Sequence, residues 1–177
     1  MRPDPRPRGV LGEAAARGHY HARRVLPSDA LSTHVAYFWL VRWALEQPFE
    51  QQVLTHPACH FVFEQNDVTG RMASRAVGPR RLRFTRKLTG AGHILGVARH
   101  AGTARAWLGH DVATLTDSAV PLRTKVVCDA RAVERSILQE RQDGAAVRAA
   151  EAFLRPLLPA LDDEARLDAC RCVPGGC

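Results

Sequence analysis

The stretch THPACHFVFE, residues 55–64, places a cysteine between two histidines and could in principle bind a metal. His56 and His60 are four residues apart, a spacing that puts two imidazoles on one face of a helix. Pro57 and the run HFVF favour a strand instead. Four residues of a strand span about 13 Å, whereas two ligands of one zinc ion lie within about 4 Å of each other. The spacing therefore predicts no metal site here.

The neighbours Cys59 and His60 could also form a nucleophile and its base. Such a pair must lie within hydrogen-bonding reach, but successive residues of a strand point to opposite faces. The alternation instead puts Cys59, Phe61 and Phe63 on one face and His60, Val62 and Glu64 on the other. Cysteine is a frequent small core residue, so this face is interpreted as core and no catalytic residue is assigned.

A second histidine pair, His19 and His21, has the alternating spacing that puts both rings on one strand face about 7 Å apart. Metal-binding cupins combine such a pair with a glutamate and a distant third histidine. No glutamate follows His21 at short spacing, and solvent-facing histidines are the preferred interpretation. A metal-dependent cupin-like enzyme stays open as an alternative.

Two further groups have an unreactive interpretation. Arg81, Arg83 and Lys87 alternate with apolar residues, which fits either an anion-binding strip or, as preferred here, the solvated face of a strand. The terminal CRCVPGGC offers three thiols, but a structural zinc site uses four ligands. We therefore expect neither a metal nor a cofactor.

Composition limits the class of protein. The 177 residues are 46% hydrophobic, which is typical of a globular chain. No apolar run reaches the roughly 18 residues that span a membrane, and the N-terminus lacks a secretory signal, so a cytoplasmic protein with no membrane partner is expected. The net charge of +7 comes almost entirely from arginine, with only two lysines. This bias argues against a dedicated nucleic-acid surface.

The pattern of segments predicts a β-rich domain followed by helices. Residues 34–45, HVAYFWLVRWAL, predict a long strand, and short β-type segments bounded by Gly or Pro continue to about residue 102. Asp129 is a good N-cap for a helix with Ile137 and Leu138 on one face. A second helix follows, and Pro156 should kink or end it. The fold class is therefore α+β: a small antiparallel cupin-like β-barrel with a C-terminal helical hairpin.

Four stretches, in order, match one known series of motifs. They are VLPSDALSTHVAYFWLVRW, VLTHPACHFVFE, the segment from GRMASRAVGP to LTDSAVPL, and EAFLRPLLP. Together they resemble the N-terminal sensor domain of AraC-type (arabinose-regulator-like) transcriptional regulators, over about residues 20–160. In those regulators a unit with two helix-turn-helix motifs follows, and no such pattern follows here.

The resemblance implies a role in ligand sensing or dimerisation for transcription control, not an enzyme. It implies an unknown small-molecule effector, a homodimer, and no specific DNA binding by this chain alone. A stand-alone dimerisation module acting on full-length relatives is a further alternative. The expected divisions are a flexible arm (1–16), a β-rich sensor domain (17–122), a helical hairpin packed on it (123–160), and an irregular tail that resembles a truncated or out-of-frame end (161–177).

The candidate ligand pocket combines two strands. Trp39 and Trp43 come from the aromatic strand, and Cys59, Phe61 and Phe63 come from one face of ACHFVFE. The choice of that face as the inner one is an assumption. A barrel of this kind encloses a cavity suited to a small ligand.

Overall fold

The computed structural model describes residues 18–53, 58–100, 103–104, 107, 112–122 and 129–158. These residues form eight strands followed by two α-helices, so the fold is α+β, as predicted. The strands are β1 (Tyr20–Val25), β2 (Val35–Ala44), β3 (Phe49–Val53), β4 (His60–Asn66), β5 (Met72–Val77), β6 (Phe84–Leu88), β7 (Ala91–Arg99) and β8 (Ala119–Pro121). The helices are α1 (Ala130–Leu138) and α2 (Asp143–Leu154), and 3₁₀ turns lie at Asp29–Leu31, Val112–Leu115 and Arg155–Leu157.

The strands form two antiparallel sheets. Six of them pair in the order β1-β2-β7-β4-β5-β8, and β3 pairs with β6 in a separate two-stranded ribbon. Neither sheet closes on itself among the described strands, so the predicted closed cupin-like barrel is not what these strands form. The physical reason is that β3 and β6 hydrogen-bond to each other over five residue pairs. The ribbon therefore faces the larger sheet and does not hydrogen-bond to its edge strands.

One face of the six-stranded sheet packs against the helices. Every second residue of the central strands points to this side and is buried, because side chains alternate along a strand. This helix face joins the main core, together with apolar residues of α1 and α2. Its members from the sheet are Phe38, Leu40, Phe61, Phe63, Ala76, Leu95 and Val97.

The first helix begins, and the second ends, where the sequence predicts. The Asp129 carboxylate accepts hydrogen bonds from the backbone N–H groups of Arg131 (3.0 Å) and Ala132 (3.1 Å), which caps α1. The second helix ends at Leu154 because Pro156 cannot continue it. Polar contacts also join sheet and helices, namely Arg42 Nε to Asp143 Oδ1 (3.0 Å), Ser74 Oγ to Glu134 Oε1 (2.6 Å) and His93 Nε2 to the Leu138 carbonyl (2.9 Å).

The predicted arm (1–16) and tail (161–177) lie outside the described residues, as do residues 123–128 at the start of the predicted hairpin segment.

Candidate ligand-binding cavity

A cavity of about 490 Å³ lies between the ribbon and the other face of the six-stranded sheet. This volume falls within the range of small-molecule sites, roughly 300–1,000 Å³. We call the sheet surface that borders it the cavity face. Its strand residues alternate with those of the helix face: β4 contributes His60, Val62 and Glu64, and the ribbon strand β6 contributes Phe84, Arg86 and Leu88 from the opposite side.

Two polar contacts hold the ribbon over the sheet. The Tyr20 hydroxyl on β1 donates to Gln51 Oε1 on β3 at 3.2 Å. The Arg86 guanidinium on β6 forms an ion pair with Glu64 on β4, and Arg75 Nη2 approaches the other Glu64 oxygen to 3.9 Å. Because both contacts cross the cavity, they fix its width.

Two tryptophans lie flat on β7 because glycine stands opposite each of them. Trp39 pairs with Gly96, and Trp43 pairs with Gly92. A Cβ on Gly96 would lie 1.9 Å from Trp39 Cε2, and one on Gly92 would lie 2.5 Å from Trp43 Cζ2. Any larger residue would therefore displace the indole rings that form this part of the wall.

The Trp39 ring is also fixed by a hydrogen bond. Its Nε1–H donates to His60 Nδ1 at 3.3 Å, and the two rings meet edge to face with centroids 6.3 Å apart. His60 Nδ1 is therefore the acceptor nitrogen in this arrangement. The position of the Trp39 ring is therefore fixed by the Gly96 backbone on β7 and by His60 on β4.

The charge of the lining is strongly unequal. Five arginines line the cavity, and Glu64 is the one carboxylate among the described lining residues. The Nε atoms of Arg80 and Arg86 are buried and have no hydrogen-bond partner. The Arg80 guanidinium lies over the Phe84 ring, 5.3 Å from its centroid. The cavity therefore combines apolar walls with guanidinium groups.

The predicted pocket residues are divided between the two faces of the sheet. Trp39 lines the cavity. Trp43 lies on the same face and packs with Leu88 and Ile94. Cys59, Phe61 and Phe63 point the other way and are 3%, 0% and 0% exposed in the main core.

The strand β4 lines the cavity with the residues that alternate with those three. The alternation assigns His60, Val62 and Glu64 to the second face of the strand. Their mixture of apolar, ionisable and aromatic side chains is the sequence signal that could have identified this face as the cavity lining. The arginines Arg80 and Arg86 were missed, because β6 follows a loop whose course the sequence pattern does not specify.

Cys59 lies beside a buried cation that sequence reasoning also missed. Burial raises the pKa of the Cys59 thiol from its ordinary 9.0 to about 11, and the charge of Arg99 partly opposes this. Arg99 is 1% exposed, its guanidinium stacks 3.6 Å from the Trp107 ring centroid, and Nη2 donates to the Thr103 carbonyl at 2.6 Å. Burial lowers the pKa of Arg99 to about 9. A thiol with a raised pKa is a poor nucleophile at neutral pH.

The other candidate residues have local contacts. The His19 ring stacks on Phe49 with centroids 4.2 Å apart, and His21 is exposed. Arg81 Nε binds Asp117 Oδ2 at 2.7 Å, and Arg83 and Lys87 are exposed. Among the residues described, no group of three or more His, Cys, Asp or Glu side chains is arranged to hold a metal ion. His56 and the three C-terminal cysteines lie outside the described ranges.

Fold and cavity define a class: an antiparallel β domain with a ligand-sized space between two open sheets, followed by two helices. A family model described as a domain of unknown function, DUF6597, matches residues 23–121. This is more than half of the chain, so the chain belongs to that family. The matched segment runs from β1 through β8 and therefore contains nearly all of the cavity-lining residues, whereas α1 and α2 follow it.

No curated protein and no solved structure matches the chain. The family match does not identify the chain as an AraC-type sensor, so that resemblance stays a prediction. In the part of the chain that is described, no helix has the length and apolar character needed to cross a membrane.

Proposed function

We propose that this chain is the ligand-sensing domain of a transcriptional regulator of the AraC type, and that the cavity between the ribbon and the six-stranded sheet binds its small-molecule effector. The observation that carries the proposal is the cavity itself: about 490 Å³, with mostly apolar walls and a few fixed polar groups. Sites for small organic molecules have this composition. The order of motifs along the chain supplies the regulatory part of the proposal.

A sensor must pass the state of its site to another part of the molecule. The cavity face and the helix face belong to the same strands, so a ligand that changes the twist of β4 or β7 also moves residues that pack on α1 and α2. On β7, for example, the Trp39 ring packs on Gly96 at the cavity face, and His93 contacts the Leu138 carbonyl of α1 at the helix face. In this proposal the helices carry the signal.

The proposal is tested with a neutral apolar probe, N-phenylnaphthylamine, whose fluorescence rises when it leaves water. We expect saturable binding of one probe per chain. Val62 lines the cavity, and V62W should fill it and abolish probe binding. The matched control is V68W, because Val68 is 72% exposed in the turn between β4 and β5.

Thermal melting of both variants separates lost binding from lost folding. The proposal is supported when V62W melts cooperatively and does not bind, while V68W binds like the unmodified protein. Equal probe binding by V62W and V68W would place the probe elsewhere and overturn the proposal. Absence of probe binding to the unmodified chain would overturn it too.

A further inference from the structure

We propose that the ligand of this cavity is an organic anion, with an apolar ring-bearing body and one carboxylate group. The proposal rests on the proposed function, because it requires a small molecule in this cavity. It goes further in naming the chemical class of that molecule. The argument has three steps: the charge of the lining, the state of its carboxylates, and the placement of its apolar surface.

The first step is the excess of positive charge. Arg75, Arg80 and Arg86 all line the cavity from different positions, and Glu64 faces two of them. Grouping cations around one space is unfavourable without an anion among them, because like charges repel. An anionic ligand converts this repulsion into attraction.

The second step is that the nearby carboxylates are already in use. Glu64 binds Arg86 and Arg75. Asp117 accepts from the backbone N–H of Arg81 at 2.8 Å and from its Nε at 2.7 Å, and these bonds hold the pKa of Asp117 below its usual range. Arg80 donates from Nη1 to the Asp117 carbonyl at 3.2 Å, which is a neutral acceptor.

The Nε–H groups of Arg80 and Arg86 are left without an acceptor although both atoms are buried. A buried donor without a partner destabilises the protein. A carboxylate oxygen is the acceptor that guanidinium groups bind most strongly among organic groups. The two free donors are therefore the groups that should bind the acid group.

The third step is the apolar remainder of the lining. Trp43, Leu88 and Ile94 pack together at the far ends of β2 and β6. Trp39 lies flat on another part of the same wall, opposite Gly96. Flat aromatic surface of this kind favours a planar, apolar ligand body. A fully polar ligand would leave this surface unused.

The experiment compares two competitors of almost identical shape: naphthoate, which carries a carboxylate, and naphthamide, which carries a neutral carboxamide. Each is titrated against the bound neutral probe, N-phenylnaphthylamine. We expect naphthoate to displace the probe at a concentration about tenfold lower than naphthamide, the ratio that about one charge-assisted hydrogen bond supplies.

Three variants assign this ratio to the lining. R80Q should reduce the preference for naphthoate to near one, taken as the ratio of the two displacement concentrations within that variant. E64Q should increase it, because Arg86 and Arg75 lose their carboxylate. K87Q is the matched control: Lys87 is the neighbour of Arg86 on β6, is exposed, and is not among the lining residues, so the ratio should not change.

The opposite responses of R80Q and E64Q keep the test independent of folding, since general destabilisation would weaken both competitors in both variants. The anion proposal would be overturned if naphthoate and naphthamide displaced the probe equally, or if neither displaced it. In both cases the probe itself still binds, so the proposed function would stand. A ratio that falls as far in K87Q as in R80Q would also overturn it. Failure of the probe itself to bind would instead overturn the proposed function.

Discussion

The six-stranded sheet is covered by helices on one face and borders the cavity on the other, and both faces are built from alternate residues of the same strands. On β4, Phe61 and Phe63 face the helices and are fully buried. Val62 and Glu64 face the cavity and keep part of their surface exposed. The helix face is apolar and closely packed, whereas the cavity face combines aromatic, aliphatic and charged groups around an open space.

This difference separates stability from binding. Removing a side chain from a packed apolar face leaves a hole that the surroundings fill only in part. Removing one from the cavity face enlarges a space that already exists. We therefore expect helix-face substitutions to act mainly on the free energy of unfolding and cavity-face substitutions to act mainly on ligand affinity.

The largest expected effect is at Phe63. The ring is fully buried and meets Phe153 of α2 edge to face with centroids 5.9 Å apart. F63A should lower the free energy of unfolding by about 3–5 kcal/mol, measured by chemical denaturation. V62A, one residue away on the cavity face, should cost well under half as much. Comparable losses for the two variants would show that the faces do not differ in packing.

Alternation alone predicts the contents of both faces, but not which of them borders the cavity. Cys59, Phe61 and Phe63 are correctly predicted to share a face, as are the start of α1 at its Asp129 cap and the end of α2 before Pro156. The pattern cannot say whether a face of three apolar residues meets helices or a ligand, because both surroundings favour apolar side chains.

The barrel was predicted from strand spacing, and spacing does not specify closure. Whether β1 and β8 meet depends on which strands pair at long range, and β3 pairing with β6 removes two strands from the larger sheet. The glycines Gly92 and Gly96 gave a local signal for close approach, but their tryptophan partners are about 50 residues away in sequence. Sequence pattern alone does not reveal that register.

The second effect concerns Cys59, which tests how dry the helix face is. In the unfolded chain its thiol ionises above pH 9.0, whereas burial keeps the folded thiol protonated up to about 11. Unfolding therefore releases a proton between these pH values, so the stabilising contribution is complete below pH 9 and is lost as the pH rises to about 11. Relative to C59A, the protein should lose about 2–3 kcal/mol across this window.

The measurement is the difference in unfolding free energy between the unmodified protein and C59A at several pH values. The difference includes the coupling of the thiolate to Arg99, which is present in both proteins and whose pKa is about 9. A difference that stays constant from pH 9 to 11 would mean that the thiol is hydrated and that the helix face is open near Cys59. Reaction of Cys59 itself with a thiol reagent at pH 8, followed by peptide mapping, should likewise be slow in the folded protein.

The third effect tests the close approach of Trp39 to β7. G96A places a methyl group where the Trp39 ring lies, so the ring must shift at a cost of about 1–3 kcal/mol. Binding of N-phenylnaphthylamine should weaken in parallel, because the same ring forms the cavity wall. G144A is the matched control: the nearest atom to the new Cβ is Arg148 Nη1 at 3.5 Å, and alanine favours the helix. Thermal melting should show a loss for G96A and no loss for G144A.

The smallest effect separates two surface ion pairs. Arg42 on β2 binds Asp143 at the start of α2, with side chains 31% and 16% exposed, whereas the Arg81 side chain that binds Asp117 is 78% exposed. R42M should lower the free energy of unfolding by at most about 1 kcal/mol, because it removes one contact between the sheet and α2. R81M should not lower it measurably, because the Arg81 backbone N–H still binds Asp117. Denaturation of both variants in low and high salt measures this. A larger loss for R81M than for R42M would mean that the segment leading into β6 contributes more to stability than this contact between sheet and helix.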